Sequence, residues 1–130
     1  MRHVIVIAEA GVNHNGSFEL AKKMVDAAKE AGVDYVKFQT FNPKKLVSKY
    51  AEKAEYQKKT TGSDETQLQM LQKLTLTEDN FLSLRDYCKE VGIGFISTPF
   101  DLDSIAFLET FDMDFWKVPS GEVTNLPYLE

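Results

Sequence analysis

The chain has 130 residues, 43% hydrophobic and 27% charged, which places it in the ordinary soluble globular range with enough apolar residues for one core. Fifteen basic against 20 acidic residues give a net charge of −5 without long single-sign blocks; this excludes a general nucleic-acid or anionic-membrane binder and still allows a local basic pocket. No run approaches the roughly 20 apolar residues of a transmembrane helix, and the N-terminus passes from Arg2 through a short apolar stretch to Glu9 without the apolar core and cleavage site of a secretory signal, so a cytoplasmic chain is expected.

His3 to Ala8 is β-branched and apolar on both faces, the pattern of a strand buried between two layers and hence of a parallel sheet. The polar loop GVNHNGS follows. Ser17 is the expected N-cap of a helix with Glu19 in its first turn, with apolar positions Leu20, Met24, Ala27, Ala28 and Ala31, and with Gly32 as its end. A second strand is expected over Val33 to Phe38. The stretch from Thr40 to about Ser63 has no clear period, and its AEKAEYQKKTTGSDE part reads as a solvated loop able to close over a ligand. A short helix within Asp64 to Lys73 would use Leu68 and Leu71.

A firmer helix starts after Thr77, with Glu78 and Asp79 at its positive end and Phe81, Leu84, Cys88 and Val91 as its apolar stripe up to Gly92. Cys88, the single cysteine, reads as a packed core thiol. Then come a strand over Ile93 to Ser97, a short helix around Asp101 to Thr110, and a strand over Asp114 to Val118 whose Trp116 and Val118 should face the helices. A further element begins at Asn125 to Glu130.

Strands alternating with helices define an α/β fold with a parallel sheet. Four β/α units in 130 residues are half of a (β/α)₈ TIM barrel, whose usual length is about 250 residues. A doubly wound sheet is the rival, although no Gly-rich dinucleotide loop follows the first strand. Residues 1–130 are therefore read as the amino-terminal half of a longer barrel, with unpaired edges expected at the first and fourth strands.

Parallel α/β sheets keep their chemistry at the carboxyl ends of the strands. The candidates there are Glu9, Lys37 with Gln39, Ser97 with Thr98, and Lys117 with Ser120 and Glu122. Side chains alternate along a strand, so Glu9 shares a face with Ile5 and Ile7, and Lys37 with Tyr35 and Gln39. Two lysines and several hydroxyls at one mouth suit a small, strongly anionic ligand such as a phosphorylated carboxylic acid. The plain alternatives are snorkelling lysines and a structural ion pair between Glu9 and Lys37. His3 reads as a surface residue, and His14 either lines the mouth or holds its loop; two histidines make no metal site by themselves.

The segments IAEAGVNHNGS, AGVDYVKFQTF, ISTPFD and KVPSGEVTNLP, in this order and spacing, resemble the sialic acid synthase family, the N-acetylneuraminate synthases with their legionaminate and pseudaminate relatives. The resemblance covers essentially the whole chain. It implies condensation of phosphoenolpyruvate with an N-acetylated aldose of the N-acetylmannosamine type, giving a nine-carbon 2-keto acid and phosphate. It also implies a (β/α)₈ barrel followed by an antifreeze-like domain, neither its second half nor that domain lying within 1–130, and a homodimer when full length.

Position by position, the resemblance gives Lys37, Thr98, Lys117 and Ser120 to phosphoenolpyruvate and Glu9 to the sugar aldehyde as a proton-handling or orienting group, with Gln39 and Glu122 lining the site. It further implies a divalent metal, manganese or magnesium, whose histidine ligands match nothing in this chain. The isolated 1–130 chain is accordingly expected to be inactive. Two other functions stay open: a Schiff-base aldolase using Lys37 or Lys117, and a non-catalytic polysaccharide-assembly protein of the same fold.

Overall fold

The computed structural model of the chain describes residues 2–46 and 66–130, and within them four helices start at a side-chain oxygen that accepts a first-turn amide proton. Ser17 caps α1 (Phe18–Glu30), Thr66 caps α3 (Gln67–Lys73), Thr77 caps α4 (Glu78–Val91) and Asp101 caps α5 (Leu102–Glu109). Each cap satisfies one of the donors a helix start leaves open. Thr66 and Gln69 form a reciprocal capping box. A one-turn helix α2 (Pro43–Leu46), a 3₁₀ turn at Ser120–Glu122 and a short helix α6 (Leu126–Leu129) complete the helical elements.

Three strands, β1 (Ile7–Gly11), β2 (Tyr35–Thr40) and β3 (Gly94–Pro99), form a parallel sheet in the order β1-β2-β3. Ile7 is level with Tyr35 and Gly94, Glu9 with Lys37 and Ile96, and Gln39 with Thr98. The β1–β2 ladder slips after Glu9, so Ala10 is a bulge residue and Gly11 pairs with Phe38. Gly11 takes φ +57°, and a Cβ there would sit 3.2 Å from the Glu9 carboxylate. The bulge and the glycine together let the chain turn off directly beyond Glu9.

One face of the sheet carries the core. Val36, Phe38 and Phe95 pack with Ala21, Val25 and Ala28 of α1, Phe81, Leu84 and Cys88 of α4, and Leu108 and Phe111. Burial of each large side chain contributes about 1.5–3 kcal/mol. Among the described residues no helix is long and apolar enough to cross a membrane.

The α/β expectation holds as a three-stranded parallel sheet with helical crossovers, and four details differ. The first strand lies later than His3 to Ala8: β1 begins at Ile7, and Val4, Ile5 and Val6 are exposed ahead of it. In α1 the buried residues are Ala21, Val25 and Ala28, so of the expected stripe Ala28 is buried while Leu20, Ala27 and Ala31 are exposed; small side chains allow close approach to the sheet and α4. Met24 still packs partly against the core. Helix α2 falls in the stretch read as aperiodic, whereas the AEKAEYQKKTTGSDE segment lies outside the described residues.

The fourth difference is that Asp114 to Val118 forms no strand. The Ser97 N–H beside it donates to the Met113 thioether at 3.4 Å, and the Tyr35 hydroxyl donates to Asp114 at 2.7 Å. Phe115 meets the Tyr35 ring edge-on at 5.0 Å. These contacts hold the segment against the sheet through side chains and leave no ladder. Trp116 and Val118 are consequently 45% and 36% exposed, not core. Among the described residues the outer strands of the sheet are thus β1, as expected, and β3 in place of a fourth strand.

Candidate functional site

The face opposite the core is tiered by strand register. Its lowest tier is Ile7, Tyr35 and Gly94, the middle tier Glu9, Lys37 and Ile96, and the top tier Gln39 and Thr98. Polarity rises toward the carboxyl ends of the strands.

Lys37 is the centre of this arrangement. Its side chain is 14% exposed, its ammonium is ion-paired with Glu9, and it donates a long hydrogen bond to Thr98 Oγ1 at 3.4 Å. Such partners offset the cost of covering an ammonium. Glu9, by contrast, is 51% exposed, and Thr98 is buried. The cluster therefore joins three strands through one cation, with an acid on its open side and a hydroxyl on its closed side. Gln39 extends it by one step as the register partner of Thr98.

Lys117, Ser120 and Glu122 stand apart from it. Lys117 Nζ donates to the Val118 carbonyl at 2.8 Å, and its side chain lines a cleft of about 250 Å³ with Ile105, Glu109 and Trp116. Ser120 is exposed in the 3₁₀ turn. Glu122 accepts from Asn125 Nδ2 at 2.6 Å and borders a cleft of about 390 Å³ with Lys45, Asp101 and Tyr128. So the structure brings Glu9, Lys37, Thr98 and Gln39 together and leaves the other three on the neighbouring rim.

His3 is exposed and bonds Asp34 at 2.8 Å. The Val6 N–H, and after it His3, hold the Asp34 carboxyl below the usual carboxylate range. His14 is buried; its Nδ1 accepts the Gly16 N–H at 3.0 Å, which ties the loop after β1, and burial pushes its pKa below that of a free imidazole. Its ring lies 6.1 Å from that of Phe38, a residue of the core face. Burial also pushes the Cys88 thiol up to about 12, as suits a core thiol.

Two features escaped the sequence reading. Thr40 Oγ1 and Ser97 Oγ form a buried hydroxyl pair at 2.6 Å. Asp101, besides capping α5, accepts the Asn42 N–H at 2.7 Å and so ties the loop after β2 to the loop after β3. The available signal was polarity out of place: a serine and a threonine at core-facing positions of apolar strands.

A parallel α/β chain with a lysine, a carboxylate and a hydroxyl gathered near its strand ends belongs to the class of α/β folds whose ligand sites lie at the carboxyl ends of the strands. The model of the NeuB family matches residues 24–130, and the chain belongs to that family. It is 51% identical over 130 residues to the N,N'-diacetyllegionaminic acid synthase of Campylobacter jejuni and 52% identical over 125 residues to that of Legionella pneumophila. These matches cover 100% and 96% of this chain, but only 39% and 35% of those proteins. The crystal structure of the N-acetylneuraminic acid synthetase of Leptospira borgpetersenii superposes with a TM-score of 0.78 at 26% identity, over 98% of this chain and 40% of that one.

Proposed function

We propose that this chain supplies the first β/α units of a (β/α)₈ barrel synthase that condenses phosphoenolpyruvate with the open-chain aldehyde of an N-acetylated aldose. The observation that carries the reading is Lys37: a largely covered ammonium at the carboxyl ends of parallel strands, held between Glu9 and Thr98. In this reading Lys37 and Thr98 bind the phosphate or carboxylate of phosphoenolpyruvate, joined by Lys117 and Ser120 from the adjacent rim. C3 of the enol attacks the aldehyde carbon, water adds at C2, and phosphate leaves by C–O cleavage. Glu9 orients the aldehyde or handles a proton, and Gln39 and Glu122 line the acceptor side.

The acceptor we infer is the diacetamido analogue of N-acetylmannosamine, making the product a legionaminate. The support is the identity of 51–52% to two legionaminic acid synthases against 37% to the N-acetylneuraminate-9-phosphate synthases of Mus musculus and Homo sapiens. A homodimeric, cytoplasmic whole protein using manganese or magnesium completes the proposal. Among the described residues no three His, Cys, Asp or Glu side chains come together, so they supply no ligand set for that metal, and no step is drawn through it.

The test is phosphate release by the whole protein with phosphoenolpyruvate and either acceptor. The expected result is release with the diacetamido sugar, slower release with N-acetylmannosamine, and no borohydride-trapped lysine adduct with pyruvate. Absence of release with both sugars, or a trapped lysine, overturns the proposal.

A further inference from the structure

On the core face of the sheet, within a layer that buries Phe38 and Phe95, two hydroxyls face each other. Ser97 is fully buried and Thr40 nearly so, and their oxygens are 2.6 Å apart. Each hydroxyl costs free energy to desolvate, and two apolar side chains would pack there without that cost. The β2–β3 ladder sets the register of the two strands; what a short hydroxyl pair adds is direction, pinning the local offset where that ladder ends at Thr40 and Pro99.

The offset matters because of what flanks it. Ser97 is level with Phe38, and Thr40 with Pro99, so the bond runs diagonally across the step where Gln39 and Thr98 are partners. Thr98 follows Ser97 and points to the opposite face, where its Oγ1 lies 3.4 Å from Lys37 Nζ. That distance is at the long end for a hydrogen bond, so a shift of a few tenths of an ångström makes or breaks it. The outer edge of β3 gives little help, since among the described residues the Ser97 N–H donates to the Met113 thioether, a weak acceptor, at 3.4 Å. The Phe100 N–H to Thr40 carbonyl bond at 3.0 Å closes the same corner from the chain beyond β3.

We propose that Ser97 and Thr40 are positioning residues whose hydroxyl pair sets Thr98 against Lys37. The inference rests on the reading of Lys37 and Thr98 as the anion-holding pair. It assigns the two residues no contact with substrate.

The test uses the whole protein with Ser97→Ala, Thr40→Val, Thr40→Ser and the double variant Ser97→Ala/Thr40→Val. Thr40→Val keeps the side-chain shape and carries the test if Ser97→Ala fails to fold. Two measurements are made on each folded variant: the KM for phosphoenolpyruvate and for the acceptor sugar, and the acetylation rate of Lys37 by acetic anhydride, read by mass spectrometry against exposed Lys44. Ser97→Ala and Thr40→Val should each raise the KM for phosphoenolpyruvate about tenfold with little change for the acceptor, and should speed Lys37 acetylation several-fold. Thr40→Ser should restore both to wild-type values, and the double variant should be no worse than either single one.

Unchanged Lys37 acetylation in folded Ser97→Ala or Thr40→Val overturns the inference, as does an equal rise in both KM values. If acetylation responds but the wild-type protein never turns over phosphoenolpyruvate, the positioning role stands and the proposed reaction falls.

Discussion

Glu9 and Lys37 are register partners across β1 and β2, and their side chains close an ion pair on the open face of the sheet, with Thr98 adding a second partner for the ammonium from β3. The pair is unequal, since Lys37 is largely covered and Glu9 half in solvent. A covered ammonium cannot move to water, and the half-exposed carboxylate can give way only where another anion takes its place beside Lys37. Lys37 is therefore the fixed charge of the site and Glu9 the movable one. Replacing Lys37 with methionine keeps its bulk and removes the charge. The expected loss in kcat/KM for phosphoenolpyruvate is about ten- to hundredfold, the kinetic equivalent of a charged hydrogen bond of about 1.5–3 kcal/mol. Steady-state kinetics of the whole protein would check it, and a Lys37→Met enzyme with wild-type kcat/KM would remove Lys37 from the site.

Gly94 is required by close approach, not by its backbone angles. A Cβ at this position would land on the Tyr35 ring, 2.9 Å from Cγ and nearer still to two ring carbons. That ring cannot retreat freely, because its hydroxyl bonds Asp114 and its edge meets Phe115. Gly94→Ala should cost about 1–3 kcal/mol by overpacking. Urea unfolding would show it as a lower midpoint at unchanged slope. In a Tyr35→Ala background, where the ring is gone, the same substitution should be close to neutral; an equal cost in both backgrounds would mean that another clash is responsible.

What the sequence made legible follows the range of the forces involved. Helix starts at Ser17, Thr77 and Asp101, the Gly92 end and the core placement of Phe81, Leu84 and Cys88 depend on neighbours within a turn or two, and all appear as read. The shared face of Glu9, Lys37 and Gln39 was also readable, because a strand's two-residue period needs no partner to define it. Errors arose where tertiary contacts decided between near-equal local choices. Helix α1 offers two overlapping apolar stripes, and only close packing selects Ala21, Val25 and Ala28. Asp114 to Val118 has good strand composition, yet side-chain bonds from Tyr35 and Met113 take its place beside β3, and Lys117 consequently stands on the rim. Cross-strand polar pairs such as Thr40 with Ser97 were invisible for the same reason: nothing local links residues 57 apart in the chain.

Asp101 should carry more stability than an ordinary cap. One carboxylate oxygen accepts the Ser104 N–H at 2.9 Å, and the other accepts the Asn42 N–H at 2.7 Å from the loop after β2. Asp101→Ala removes both and leaves two amide donors to find water, at an expected cost of about 1–3 kcal/mol. Asp101→Asn keeps a single acceptor and should fall between. Hydrogen exchange separates the two roles: the Ser104 and Asn42 amides should both lose protection in the alanine variant. Loss at Ser104 alone would reduce Asp101 to a helix cap.

Cys88 gives the chain a pH dependence whose sign follows from burial. In the folded protein the thiol's pKa is raised from 9.0 to about 12, because the interior disfavours the thiolate. Below pH 9 the thiol is protonated in both folded and unfolded chains, and its full contribution to stability is present. As pH rises from about 9 toward about 12, only the unfolded chain releases the proton, so that contribution is progressively lost. Unfolding midpoints measured from pH 7 to pH 10.5 should therefore fall more steeply for the wild-type chain than for Cys88→Ala, which lacks the group while starting from a lower stability. The folded chain should also resist a thiol reagent at pH 8 and react on addition of denaturant. Parallel pH profiles for the two proteins, or rapid labelling of the folded chain, would contradict the burial of this thiol.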